Sequence, residues 1–313
     1  MNHAPVLLTE VLDGLAPADG KLFVDGTFGR GGYTEALLRQ SACRVVAIDQ
    51  DADAIAAGAE LAKSYGARLQ LIQGRFGSMV ELLAGIGISS VSGVTLDLGV
   101  SSPQLDQAER GFSFRFDGPL DMRMGQVGPT AADIVNSTEE SDLASIIYRL
   151  GEERYARPIA RAIVAARQRR PIERTLELAE IVRSVVLKSG DKIDPATRTF
   201  QALRLHVNDE MGELDRGLEA AETLLEPGGR LAIVSFHSLE DRPVKNFLRA
   251  RSAEHAGYSR HLPAAPARRA ATFRLIGRNP VKPSAAELAA NPRSRSARLR
   301  VAERTDAAIG GAP

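Results

Sequence analysis

The stretch that most constrains this 313-residue chain is Leu22-Phe23-Val24-Asp25-Gly26-Thr27-Phe28-Gly29-Arg30-Gly31-Gly32-Tyr33. Leu22 to Val24 is a short apolar run with the character of a buried strand. Gly26, Gly29, Gly31 and Gly32 follow within seven residues, and Thr34-Glu35-Ala36-Leu37-Leu38 then opens a helix with Thr34 as its predicted cap. Strand, glycine loop and helix together bring backbone N–H groups to a ligand at a helix N-terminus. A second strand, Arg44 to Asp49, ends in an acid where a Rossmann-type unit holds ribose hydroxyls.

The glycine spacing fits a dinucleotide poorly. Thr34 stands where G-x-G-x-x-G requires its third glycine, and Asp25 is an unfavourable neighbour for a pyrophosphate but a favourable one for a cation. S-adenosylmethionine, with a positive amine and sulfonium, suits this pair of acids better than a nicotinamide cofactor does. The plain alternative for the glycines is a set of tight turns.

The single cysteine, Cys43, excludes an intrachain disulfide framework and a cysteine-rich zinc site. The five histidines form no ligand-spaced cluster, so no metal is expected. The sequence has no apolar run near the ~20 residues of a membrane helix and no signal-peptide pattern at its start, and it reads as cytoplasmic. Net charge is only +1, yet residues 242–304 hold 15 Lys and Arg against Glu254, Glu287 and Glu303. This basic end is a candidate phosphate-binding face, with a solvated charged surface as the bland reading.

Taken in order, the chain reads as a helix over 5–15, strands at Leu22–Val24 and Arg44–Asp49, a helix over Asp51–Lys63, strands over Arg68–Gly74 and Gly93–Val100, and a fifth strand over Arg230–Phe236. Helices alternate between them, so the sheet is parallel and ligands sit beyond the carboxyl ends of its strands, where Gly31, Asp49, Phe76 and Asp97 fall. Between Gln104 and Asn208 the spacing predicts helices only: 139–150, 152–169, 175–187 and one capped by Asp194. Six arginines on 152–170 form either a phosphate-facing stripe or a face paired with Glu152, Glu153 and Glu173. Thr272–Ile276 and Ala297–Ala302 are expected to close the sheet as a hairpin, with a flexible loop over 252–271 and disorder after Thr305. The fold class is therefore α/β, a mostly parallel sheet over 1–103 and 209–313, with an all-helical insertion over 104–208.

With these residues placed, the chain resembles the MraW-type bacterial methyltransferases. The matching motifs include Pro5-Val6-Leu7-Leu8-Thr9-Glu10, Asp25-Gly26-Thr27-Phe28-Gly29-Arg30-Gly31-Gly32 and Ala47-Ile48-Asp49-Gln50-Asp51. They continue with Leu96 to Asp106, Ala108 to Phe114, Gly118 to Met124, Gly151-Glu152-Glu153-Arg154, Ala196 to Ala202 and Ser235-Phe236-His237-Ser238-Leu239-Glu240-Asp241. The match spans residues 3 to 305. One departure is Tyr33, where the family often carries His. The resemblance implies a Rossmann-like class I methyltransferase domain with a helical substrate-recognition insertion. The implied activity is methyl transfer from S-adenosylmethionine to the N4 amino group of a cytidine in the decoding region of 16S ribosomal RNA, in the small ribosomal subunit. It further implies that Gly31, Gly32 and Tyr33 line the methionine and ribose part of the cofactor, that Asp49 binds the ribose and Phe76 flanks the adenine, and that Asp97 and Gln104 complete the pocket. A homodimer is among the assemblies left open.

Two residues are candidates for the chemistry. Cytosine N4 is a weak nucleophile and needs an acceptor on its N–H. Asp97 either supplies that acceptor or holds the methionine amine. His237, at the end of the fifth strand, is either the group that orients or deprotonates the base or a structural histidine in a turn. Ser101, Ser102, Ser235 and Asp241 are further polar candidates.

Overall fold

The computed structural model describes residues 5–186, 193–252 and 270–309. The chain divides into two compact units, one of residues 1–99 and 212–313 and one of residues 100–211.

The first unit opens with α1 (Leu8–Leu15), β1 (Leu22–Asp25), α2 (Gly32–Gln40) and β2 (Arg44–Asp49). Then come α3 (Ala52–Ala57), α4 (Ala59–Tyr65), β3 (Leu69–Gln73), α5 (Met79–Ala84) and β4 (Val91–Asp97). Strands β1, β2 and β4 are near-continuous apolar runs because helices cover both faces of a parallel sheet. The expected single helix over 51–63 is two. Gly58 separates them, and a side chain there would run into the ring of Phe28. Thr34 is not a cap but lies inside α2, whose N-cap is Gly31 at φ 75°.

The second unit carries α6 (Ser102–Asp106), α7 (Ala131–Ser137), α8 (Glu140–Gly151), α9 (Ala156–Arg167), α10 (Thr175–Val185) and α11 (Thr197–Val207). Helix α9 starts later than its spacing suggested. Glu152 is left-handed at φ 49° and the Glu153 carboxylate accepts the Tyr155 N–H, which turns the chain before it winds. Leu143, Ile147, Ile159, Ile163, Leu178, Val182, Phe200 and Leu203 close a core built from these helices. Each such side chain contributes about 1.5–3 kcal/mol on burial. Three arginines of 152–170 have partners other than Glu152, Glu153 and Glu173. Arg167 donates to the Val135 and Thr138 carbonyls, Arg161 lies 3.8 Å from Glu140, and Arg170 bonds Glu177.

The chain returns through α12 (Glu210–Leu224), β5 (Leu225–Ser235), α13 (Ser238–Ala250), β6 (Phe273–Val281), α14 (Ala285–Ala290) and β7 (Arg298–Arg304). Strand β5 begins five residues before the expected Arg230, so Pro227-Gly228-Gly229 lies within the strand instead of ahead of it. The sheet order is β3-β2-β1-β4-β5-β7-β6. The first five strands are parallel, and β7 and β6 close the sheet antiparallel. This is the Rossmann-like α/β class that the alternation called for. The loop read as flexible over 252–271 falls almost wholly on 253–269, outside the described residues, as do residues 310–313.

Candidate active site

Strand order reverses between β1 and β4, and a doubly wound sheet opens a crevice at such a point. The glycine loop leaves β1 there and Asp97 ends β4 beside it. Most of the loop's donors are committed to the protein. Gly26 N–H donates to Thr95 O at 3.0 Å, Phe28 N–H to Ile48 O at 3.0 Å, and Gly31 N–H to Phe28 O at 2.7 Å. Gly32 and Tyr33 begin α2 and have no intrahelical partner for their N–H groups, which leaves these two amides for an anionic group.

Asp25 is fully buried beneath the loop and holds it. Its carboxylate accepts the Thr27 N–H at 3.2 Å and the Thr34 hydroxyl at 2.7 Å. Burial pushes its pKa up to about 6 against the lowering by Thr34 and Thr27. The sequence presented Asp25 as a neighbour for a cation; its oxygens are turned instead to the loop and the first turn of α2.

Asp49 ends β2. Its Oδ2 accepts the Gly29 N–H at 2.7 Å and its Oδ1 the Asp51 N–H at 2.9 Å. An ionised carboxylate offers about four acceptor positions and can take several donors at once.

Asp97 differs from both. Its backbone N–H donates to Thr27 Oγ1 at 2.7 Å, but its Oδ1 is buried with no hydrogen-bond partner among the described residues. Burial, then the charges of Asp25 and Glu240, push its carboxyl well above the usual carboxylate range. An unpartnered buried carboxylate oxygen is costly in an isolated protein. A cation at that position relieves the cost, so the residues present fit an ammonium or sulfonium group.

Glu240 lay inside a recognised motif but drew no role from the sequence. It is buried on α13, accepts the Phe236 N–H at 2.7 Å, and approaches His237 Nε2 to 2.8 Å. The available signal was its place three residues after His237, the N3 spacing of a capping box. His237 is half-buried at the N-cap of α13.

Phe76 opens a short turn after β3. One edge of its ring lies against Gly217 of α12, and its Cβ stands beside Gly26. Gly77 N–H donates to the buried Glu213 at 2.7 Å, which fixes the turn. Direct contacts thus link Phe76 to the glycine loop, the loop to Asp49 and Asp97, and Glu240 to His237. Tyr33 is buried, and its hydroxyl donates to the Val6 carbonyl under the N-terminal segment. The Tyr33 side chain is therefore occupied in packing. Gln104 belongs to the second unit, where its Oε1 accepts the Ser101 N–H at 3.0 Å in a capping box that starts α6. Ser235 is buried in β5, and Asp241 is held by Arg300 and Arg298.

A Rossmann-like sheet with a loop of this kind at its switch point and a buried acid beside it is the arrangement of a cofactor-binding α/β enzyme. The model of the MraW methylase family matches residues 1–305, and the chain belongs to that family. Three relatives share the name Ribosomal RNA small subunit methyltransferase H. The protein from Rhodospirillum centenum is 65% identical over 97% of this chain and 93% of its own. That from Paramagnetospirillum magneticum is 60% identical over 97% and 96%, and that from Methylorubrum populi 59% over 97% and 88%.

Proposed function

We propose that this protein methylates the N4 amino group of a cytidine in the decoding region of 16S ribosomal RNA. The observation that carries the cofactor half of this reading is the buried, unpartnered Oδ1 of Asp97 beside the glycine loop. S-adenosylmethionine, when bound, supplies an electrophilic methyl group on a positively charged sulfur. Asp97 takes the ammonium of its methionine part, and the Gly32 and Tyr33 N–H groups take the carboxylate. Asp49 accepts the ribose hydroxyls and Phe76 covers one face of the adenine.

The N4 lone pair of cytosine is delocalised into the ring, so the base must be held in line and lose a proton as the new C–N bond forms. Glu240 stands 2.8 Å from His237 Nε2 and packs beside the ring. His237 receives the N4 proton. The helical unit of residues 100–211 is the part that recognises RNA.

Replacing His237 with Asn lowers kcat by about 10²–10⁴-fold while leaving the cofactor dissociation constant unchanged. Full activity in that variant refutes the assignment of the base. The substrate itself is tested by mass mapping of ribosomal RNA from cells without the protein. One cytidine lacks one methyl group if the reading is right, and an unaltered RNA overturns it.

A further inference from the structure

The basic end of the chain is not uniformly available for an anion. Asp241 holds Arg298 at 2.9 Å and Arg300 at 2.7 Å. Glu222 holds Arg251 at 2.5 Å, Glu303 holds Arg274, and Arg304 donates to the Glu222 and Thr272 carbonyls. Once these are set aside, three cations without a carboxylate partner among the described residues gather around one cavity. They are Lys245 and Arg249 from α13 and Arg278 from β6.

The cavity measures about 110 Å³ and has an apolar floor that includes Leu248, Leu275 and Val301. On the same measure one water needs about 10–15 Å³, so the space has room for a phosphate group. Lys245 and Arg249 are four residues apart on one helix face, where like charges repel and cost the helix a few tenths of a kcal/mol. Arg278 joins them because β6 is the edge strand and its pairing with β7 shifts between Ile276 and Val281, with Gly277 at φ 85°. A bulge on an edge strand re-aims its side chains. Three like charges converging on a concave surface are stable when an anion joins them.

We propose that Lys245, Arg249 and Arg278 form a phosphodiester-binding pocket for the backbone of the substrate RNA. This rests on the ribosomal-RNA reading above and adds to it a phosphate contact outside the methyl-transfer site. The contact is electrostatic and independent of sequence. The pocket holds the strand and takes no part in the chemistry.

The test is the triple variant Lys245→Gln, Arg249→Gln, Arg278→Gln, assayed by filter binding to a 16S decoding-region RNA at several salt concentrations. Each phosphate neutralised in a single strand contributes about −0.7 to the slope of log K against log salt. The variant is expected to bind at least tenfold more weakly, with a slope shallower by one to two. KM for RNA rises, while kcat at saturating RNA and the S-adenosylmethionine dissociation constant stay as in the wild type. The charge-preserving variant Lys245→Arg, Arg249→Lys, Arg278→Lys restores affinity and slope. An unchanged affinity and slope in the triple variant, with wild-type protein that does bind RNA, overturns the pocket. A wild type that neither binds nor methylates RNA overturns the underlying reading instead. Inorganic phosphate titrated into wild type and variant then judges the pocket's chemistry alone. Saturable binding lost in the variant marks a site for a free phosphate ligand, and equal heats in both overturn it.

Discussion

At the scale of single residues, the site is a set of carboxylates under different constraints. Asp25 and Asp49 hold the glycine loop, whereas Asp97 keeps a buried oxygen that the protein does not satisfy. Unsatisfied groups of this kind mark positions where stability is given up for binding. Asp97→Asn keeps the shape and removes the charge. The melting temperature of the unliganded protein is expected to hold or rise, while S-adenosylmethionine binds about ten- to a hundredfold more weakly by calorimetry, the worth of a charged hydrogen bond. A variant that melts lower and binds normally contradicts this. Asp25 makes a prediction about pH. Its folded pKa of about 6 lies above the ordinary aspartate value of 3.8. Between those values the folded protein therefore binds more protons than the unfolded chain, and stability falls as pH rises through the window. The penalty is absent below pH about 4 and complete above pH about 6, at up to about 3 kcal/mol. Asp25→Asn removes this dependence, so the stability difference between wild type and variant should slope between pH 4 and 6 and flatten outside it. Parallel stability–pH curves for the two proteins refute the buried-carboxylate account.

At the scale of elements, two glycines far apart in sequence matter for different reasons. Gly31 takes φ 75° and begins α2, a backbone requirement. Gly217 has ordinary helical geometry, and its lack of a side chain admits the ring of Phe76. Replacing a helical glycine with alanine normally stabilises by up to about 1 kcal/mol. Gly217→Ala should reverse that expectation, because a methyl group there pushes Phe76 off α12. The melting temperature is expected to fall, and cofactor affinity with it. A stabilised variant with unaltered affinity means that the Phe76 seat is not required. Sequence reasoning found Phe76 because it follows a strand end. It did not find Gly217, because nothing in an amphipathic helix tells a spacer glycine from a tolerated one. Glu240 was hidden for a related reason. It acts on Asp97 through space across 143 positions of chain, and no local pattern records that proximity.

At the scale of the molecule, the helical unit has its own closed core, all of it drawn from residues between Phe112 and Leu203. Ile163 belongs to that core and has no exposure. Ile163→Ala should cost that unit about 2–5 kcal/mol and leave S-adenosylmethionine affinity intact at low temperature, since the carboxylates and the glycine loop belong to the other core. Calorimetric titration alongside a thermal melt checks both halves; a matching loss of cofactor affinity contradicts the independence of the two cores.

The sequence by itself determined the β–α alternation, the glycine loop, the acids that end β2 and β4, and the helical character of the insertion. Each of these is written in local periodicity, in strand-terminal position or in glycine spacing, which are short-range properties of the chain. Tertiary structure alone decided which charges are free to act. It committed Asp25 to the loop, Tyr33 to the Val6 carbonyl and Arg298 and Arg300 to Asp241, while leaving Asp97 unsatisfied and Lys245, Arg249 and Arg278 converging. The physical reason is that a charge's role depends on its partners and its burial. Both are set by segments that meet only when the sheet has formed.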